Sequence, residues 1–230
     1  MNGREAFTSR NAAEVPRQKT ETLAGKAYTV LEEMILTLRL QPGSVVTERE
    51  LIQMTGLGRT PLREALLQLG REKLVDVLPR KGIIVSDINL AQFLSLLEAR
   101  RVLDRLIAEK AAKRATPAQR HEMRHIQAAM EHEATRNHLV EFMRVDRAFD
   151  ALIEAAAHNT FAVRAVKPMH AHCRRFWYLY RHNGDIAKAA GLHARLMRAV
   201  AAGNEKAAGS ASDALVGYLE VFTRKTLEQL

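Results

Sequence analysis

Residues 58–75 read GRTPLREALLQLGREKLV: an apolar helical stripe opened by Thr60-Pro61, with an arginine on each side of the opening. Thr60 is expected to cap the helix and Pro61 to take its first turn, where a missing N–H costs nothing. Leu62, Ala65, Leu66 and Leu69 recur at helical spacing and form the stripe that should be buried. Arg63 falls in the first turn, where the helix dipole favours acids. It gains nothing locally from that position, so it is expected to serve a partner. In a helix-turn-helix the start of the recognition helix enters the major groove, and a planar guanidinium matches guanine N7 and O6 or two phosphate oxygens.

The flanking sequence completes a motif. Leu23, Ala27, Val30, Leu31, Met34, Ile35 and Leu38 predict an amphipathic helix over 21–39, which Gln41-Pro42-Gly43 ends in a turn. Thr47-Glu48-Arg49-Glu50 has the form of a capping box and opens a second short helix, stopped at Gly56. After the third helix, LVDVL and GIIVS are β-prone runs joined by Pro79-Arg80-Lys81-Gly82, the pattern of a hairpin. Three helices and a hairpin make the winged helix-turn-helix plan. Arg59, Arg63, Arg71, Lys73, Arg80 and Lys81 outnumber Glu64, Glu72 and Asp76 across this stretch. A solvated basic face would give the same excess, but a basic tip with a compact glycine suits a wing laid along a minor groove.

From about residue 88 strand signals stop. Helices are expected near 90–114, 117–134, 138–157, 160–182, 186–202 and 204–228, with breaks at His158-Asn159 and Asn183-Gly184. The fold class read from the sequence is therefore mainly α. An N-terminal arm (1–20) precedes a winged helix-turn-helix domain (21–87) and an all-helical bundle (88–230).

Composition sets the outer limits. The 230 residues, 47% of them hydrophobic, can bury a real core, and the net charge of +9 points to a polyanionic partner, nucleic acid or an anionic membrane surface. Cys173 is the only cysteine, so no intrachain disulfide can form. No apolar run approaches a membrane span and the N-terminus has no apolar signal core, so a soluble cytoplasmic protein without a membrane partner is expected.

The run from Ala27 to Asp87 resembles the DNA-binding domain of the GntR family of bacterial transcriptional regulators. The resemblance rests on Leu40-Gln41-Pro42-Gly43, on Thr47 to Leu51, on Gly58 to Leu66, and on Leu74-Val75 before Arg80-Lys81-Gly82. It implies that Arg49, Arg59, Thr60 and Arg63 touch double-stranded operator DNA and that Gly82 marks the wing, whose basic tip is Arg80 and Lys81. Gly58 stands where the family often has serine. The C-terminal half resembles the FadR-like branch with an FCD domain, through Leu97-Glu98-Ala99-Arg100, Asp146-Arg147-Ala148-Phe149-Asp150, Asn159, His193 and Gly203-Asn204. That resemblance implies a helical bundle that dimerises or binds a small carboxylate effector, often beside a metal ion.

Asp146 and Asp150 lie at i and i+4 on one helix face, close to Phe149, Leu152 and Ile153. Two readings stand: an inward pair that needs a cation or a raised pKa, or a solvated acidic edge near Arg144 and Arg147. The resemblance implies one divalent metal ion held by an aspartate, a histidine four residues on, and two later histidines. Here Asp146 and His193 are kept, Asp150 replaces the first histidine, and Leu215 stands at the last position. The candidate metal set is thus Asp146, Asp150 and His193, richer in oxygen than a zinc site. The same three residues with Arg100 form the candidate effector site, Arg100 pairing with a carboxylate or else lying exposed on its helix. Taken alone, His193 reads more readily as a partnered core histidine than as a ligand. His121, His125 and His132 read as surface, and Arg174-Arg175-Phe176-Trp177-Tyr178-Leu179-Tyr180 as core with a basic rim.

The function expected is a dimeric repressor on a pseudo-palindromic operator, modulated by a small organic acid. The alternatives are a metal-dependent enzyme acting on a phosphorylated substrate, for which no phosphate loop or nucleophile–base pair is present, and a non-specific nucleic-acid packaging protein.

Overall fold

A computed structural model describes residues 22–78, 81–181 and 185–229; the expected arm, Arg80 and the Asn183-Gly184 break lie outside them. Helix α1 (Leu23–Leu36) starts at Thr22, whose hydroxyl accepts the Gly25 N–H at 3.0 Å. It buries Ala27, Leu31, Met34 and Ile35, while Leu23 and Val30 stay exposed. The helix stops short of Leu38, which takes φ 59°. Leu40 folds back so that its N–H donates to the Met34 carbonyl at 3.0 Å, and the turn runs on through Gly43 at φ 73°.

Val45–Val46 forms β1, a strand the sequence reading missed because two residues carry no period. Helix α2 (Glu48–Thr55) has the reciprocal capping box of Thr47 and Glu50 and ends at Gly56 in the left-handed region. Helix α3 (Arg59–Arg71) begins two residues earlier than expected: Gly58 is the cap, without a side-chain hydrogen bond, and Thr60 is already helical. Pro61 is tolerated because it still lies in the first turn, whose N–H groups have no intrahelical acceptor. Strands β2 (Val75–Leu78) and β3 (Gly82–Val85) form the hairpin, and β1 adds antiparallel to β3, giving the sheet order β1-β3-β2.

Among its described residues the second half holds helices and no strand: α4 (Leu90–Arg114), α5 (Pro117–Thr135), α6 (Leu139–Ala157), α7 (Thr160–Tyr180), α8 (Asp185–Ala201) and α9 (Glu205–Glu228). Helix α4 is central and packs against α6, α7, α8 and α9. Its Ala108, Ala111 and Ala112 are fully buried, and these small side chains let its neighbours approach.

The two halves share a buried boundary. Ala171 of α7 belongs to the core of the winged domain, alongside Leu31, Ile35 and Leu69. His172 meets the Glu72 carbonyl at 2.9 Å, and Arg147 lies 5.7 Å over the Tyr28 ring. Across this boundary Arg144 pairs with Glu33 at 2.7 Å and Arg147 with Glu32 at 2.8 Å.

Gly82 sits at φ 106°, and a Cβ there would lie 3.0 Å from the Val46 carbonyl oxygen. Gly82→Ala is therefore expected to cost about 1–3 kcal/mol, through strained backbone and loss of the β1–β3 contact. Urea denaturation checks this, and an unchanged midpoint would show that the wing relaxes freely.

Candidate DNA-facing helix and buried ion-pair pocket

At the winged end, Arg49, Arg59, Thr60, Arg63 and Lys81 are all exposed. Arg63 has a local partner the sequence reading did not foresee. Its Nε donates to both Glu48 oxygens, at 2.8 and 3.0 Å, tying α3 to the first turn of α2. The arginine side chain remains 60% exposed, so this pair fixes the side chain's base while leaving its outer face open. Glu48 itself lies in the first turn of α2, where its charge suits the dipole. With glycine as cap, the first N–H groups of α3 have no side-chain acceptor, and such a terminus suits a phosphate.

The other site lies inside the helical half. Arg100, Asp146, Asp150, His170, Arg174 and His193 line one cavity of about 60 Å³, walled by Phe142, Met143, Trp177, Leu215 and Tyr218. Helix α6 turns Asp146 and Asp150 inward, so the solvated-edge reading fails: Asp146 is 7% exposed. Arg144 and Arg147 do not attend these acids but reach α1 instead. The cation on the pair is Arg174 of α7. Its Nη1 contacts Asp150 Oδ2 and lies 3.5 Å from Asp146 Oδ2, while Nη2 is 3.6 Å from Glu32 Oε1 of α1.

Each neighbouring charge is also partnered. His193 Nδ1 donates to the Ala189 carbonyl at 2.8 Å, and its Nε2 lies 2.8 Å from Asp146 Oδ1. Arg100 is buried, not exposed, and its Nε donates to Asp104 Oδ2 at 2.8 Å. His170 Nε2 lies 2.8 Å from Asp104 Oδ1, and its Nδ1 is 3.1 Å from Asp150 Oδ2. Burial disfavours the charged imidazoles, but Asp150 and Asp104 outweigh it at His170, and Asp146 outweighs it at His193, so both pKa values are raised. Burial would likewise raise the Asp150 carboxyl, yet His170 and Arg174 hold it well below the usual carboxylate range. Trp177 Nε1 donates to the Tyr218 hydroxyl at 3.1 Å and braces the apolar wall.

Sequence reasoning thus found Asp146, Asp150, His193 and Arg100 but missed Asp104, His170 and the role of Arg174. The signals were present: Arg100/Asp104 and His170/Arg174 are both i,i+4 pairs, each on one helix face. The residues present do not fit the divalent ion that the resemblance implied. Among the described residues no group of three or more His, Cys, Asp or Glu side chains is arranged to hold a metal. A guanidinium stands on the two carboxylates, and Leu215 adds an apolar wall. His121 and His125 contact one another at 2.8 Å on an exposed face of α5, away from the cavity. Arg174, Arg175, Phe176 and Trp177 are all buried, so the basic part of that run is core rather than rim. The Arg175 guanidinium has no hydrogen-bond partner among the described residues, and burial pushes its pKa down to about 10.

Comparison with known proteins agrees with this architecture. The profile "Bacterial regulatory proteins, gntR family" matches residues 23–85, and "FCD domain" matches residues 95–217. A Streptomyces ambofaciens protein described as an uncharacterized HTH-type transcriptional regulator is 45% identical over 65 residues, a match spanning 28% of each chain. The HTH-type transcriptional repressor RspR of Escherichia coli (strain K12) is 24% identical over 160 residues, 70% of each chain. Among solved structures, E. coli McbR/YncC superposes with a TM-score of 0.77 at 16% identity, covering 90% of this chain and 99% of that one. None of the described helices is long and apolar enough to cross a membrane.

Glu32 and Glu33 are neighbours on α1 with different surroundings: the Glu32 side chain is 3% exposed between Arg147 and Arg174, while that of Glu33 is 31% exposed against Arg144. Glu32→Gln is expected to destabilise the protein by about 3 kcal/mol, because it leaves buried cations uncompensated. Glu33→Gln should stay within about 1 kcal/mol. Equal losses in chemical denaturation would contradict this difference in burial.

Proposed function

Because this chain belongs to the gntR family of bacterial regulatory proteins and carries an FCD domain, we propose that it is a repressor whose operator affinity is set by a small organic acid in the α4–α9 bundle. The chain is a transcriptional regulator with a DNA-binding helix-turn-helix, and its relatives are named as regulators rather than enzymes. The division proposed is a DNA-binding unit over 21–87 and a sensing and dimerising unit over 88–230. Two copies present two α3 helices to successive major grooves of a pseudo-palindrome. Repression is supported by the name of the E. coli relative. Dimerisation is supported by exposed apolar Val102 on α4 and Val221 on α9, beside the Arg101–Glu220 ion pair.

The observation that carries the DNA reading is the start of α3: an uncapped helix terminus with Arg59, Thr60 and Arg63 exposed around it. Arg49 and the wing residues Arg80, Lys81 and Gly82 extend the proposed contact to the backbone and the minor groove. Arg63 is proposed to read a base, held at its root by Glu48. The effector reading rests on the cavity, where Arg100, Asp146, Asp150 and His193 meet beside an apolar wall. Its roughly 60 Å³ holds a handful of waters at about 10–15 Å³ each, which corresponds to an acid of a few carbons.

Selection of genomic fragments by the purified protein at physiological salt tests the regulator reading. A short enriched palindrome is expected; uniform, salt-sensitive retention would mean that charge alone binds DNA. On the selected operator, Arg63→Ala should cost about 1–3 kcal/mol and relax preference at one base pair. Unchanged affinity would remove Arg63 from the contact set.

A further inference from the structure

We infer that the Arg174 guanidinium is the resident cation of the α6–α7–α8 pocket, which holds no divalent metal and meets its organic-acid ligand with side chains alone. The ligand class rests on the proposed effector reading; the exclusion of metal does not. Three observations carry the inference. First, Arg174 Nη1 lies against Asp150 Oδ2 and 3.5 Å from Asp146 Oδ2, so a fixed positive charge already bridges the two acids. Second, both imidazoles are turned toward acids. His193 is held between Asp146 and the Ala189 carbonyl, and His170 hydrogen-bonds Asp104 through Nε2 while its Nδ1 lies 3.1 Å from Asp150 Oδ2 as an ion-pair contact, so the rings face carboxylates rather than converging on a metal position. Third, Leu215 lines the cavity and offers no donor atom.

The substitution changes what the site can do. A divalent ion would bind a carboxylate through vacant coordination positions, whereas a guanidinium offers a planar set of N–H donors. An anionic ligand entering here must therefore compete with Asp146 and Asp150 for Arg174, or use the outer nitrogens of Arg100. Arg174 also reaches Glu32 of the DNA-binding half at 3.6 Å, so the resident cation is itself a contact between the halves.

The test is metal content by mass spectrometry on the dialysed full-length protein, with thermal unfolding measured in Zn²⁺, Mn²⁺ or Ni²⁺ and again in chelator. The wild type is expected to carry far less than one equivalent and to unfold at the same temperature under every condition. Arg174→Met, which keeps an unbranched flexible stem but removes the guanidinium and its charge, should free the two acids and show a metal-dependent rise in Tm. Adding Asp146→Asn should abolish that rise. Arg174→Lys keeps a cation and serves as the variant to read if Arg174→Met does not fold; it should remain metal-free. Near-stoichiometric metal in the wild type, lost on Asp146→Asn, would overturn the inference. So would a folded Arg174→Met chain that ignores all three ions, or an Arg174→Lys chain that binds one. Operator binding measured on the same wild-type sample separates the two readings: a metal-free protein that ignores DNA would sink the regulator proposal and leave this one standing.

Discussion

The Arg174 guanidinium meets acids from both halves of the chain, and the arrangement of the pocket depends on it. Asp146 and Asp150 share one face of α6, and without a cation two buried carboxylates so placed would repel. Arg174 removes that conflict and extends past it to Glu32 on α1, where Arg147 already stands at 2.8 Å. The result is an alternating cluster, with His193, Asp146, Arg174, Asp150, His170, Asp104 and Arg100 each facing an opposite charge. Such a cluster adds little net stability compared with an apolar core. It does constrain geometry, because each charge stands against an opposite one, although His170 Nδ1 and Arg174 Nε have no hydrogen-bond partner among the described residues.

The DNA-facing end resolves a local conflict differently. Arg63 is misplaced for its own helix but well placed for the neighbouring one, since Glu48 sits where the dipole of α2 favours it. One ion pair settles both residues, at a surface where such pairs contribute at most about 1 kcal/mol. A polyanion could draw the outer guanidinium nitrogens away at little cost. Gly58 acts in the same direction, because a serine cap would occupy an N–H that the glycine leaves open.

What was legible in the sequence follows from range. The six helices of the bundle and the capping box at Thr47 are local patterns, and the observed bounds fall within a few residues of those read from periodicity. Strand β1 was illegible because Val45-Val46 has meaning only beside β3. The start of α3 was misplaced by two residues because Gly58 and Thr60 can both precede a helix, and only backbone geometry chooses between them. In the pocket, the residue types on α6 and α8 were visible, but the cation that answers them comes from α7, 24 positions beyond Asp150. Arg144 and Arg147 were nearer in sequence and looked like the partners; their side chains instead leave the helix toward α1. Periodicity assigns a face, not a partner.

The pocket and the winged half are joined directly by side chains of α7. A ligand alters operator affinity only if it binds one arrangement of the halves better than another, and typical coupling between sites is about 1–3 kcal/mol. That is the scale of one or two charged contacts in partly buried surroundings. Here α7 supplies both ends of such a link. Arg174 lines the pocket and reaches Glu32, while Ala171 and His172, on the same helix, pack into the winged domain and onto the Glu72 carbonyl. Glu72 in turn accepts the Tyr28 hydroxyl at 2.6 Å, so the end of α3 is tied to α1 and α7 together. An acid that drew Arg174 toward itself would weaken its hold on Glu32 and load Arg147 alone with that charge. A shift of α7 against α1 would then reach α3 through these contacts.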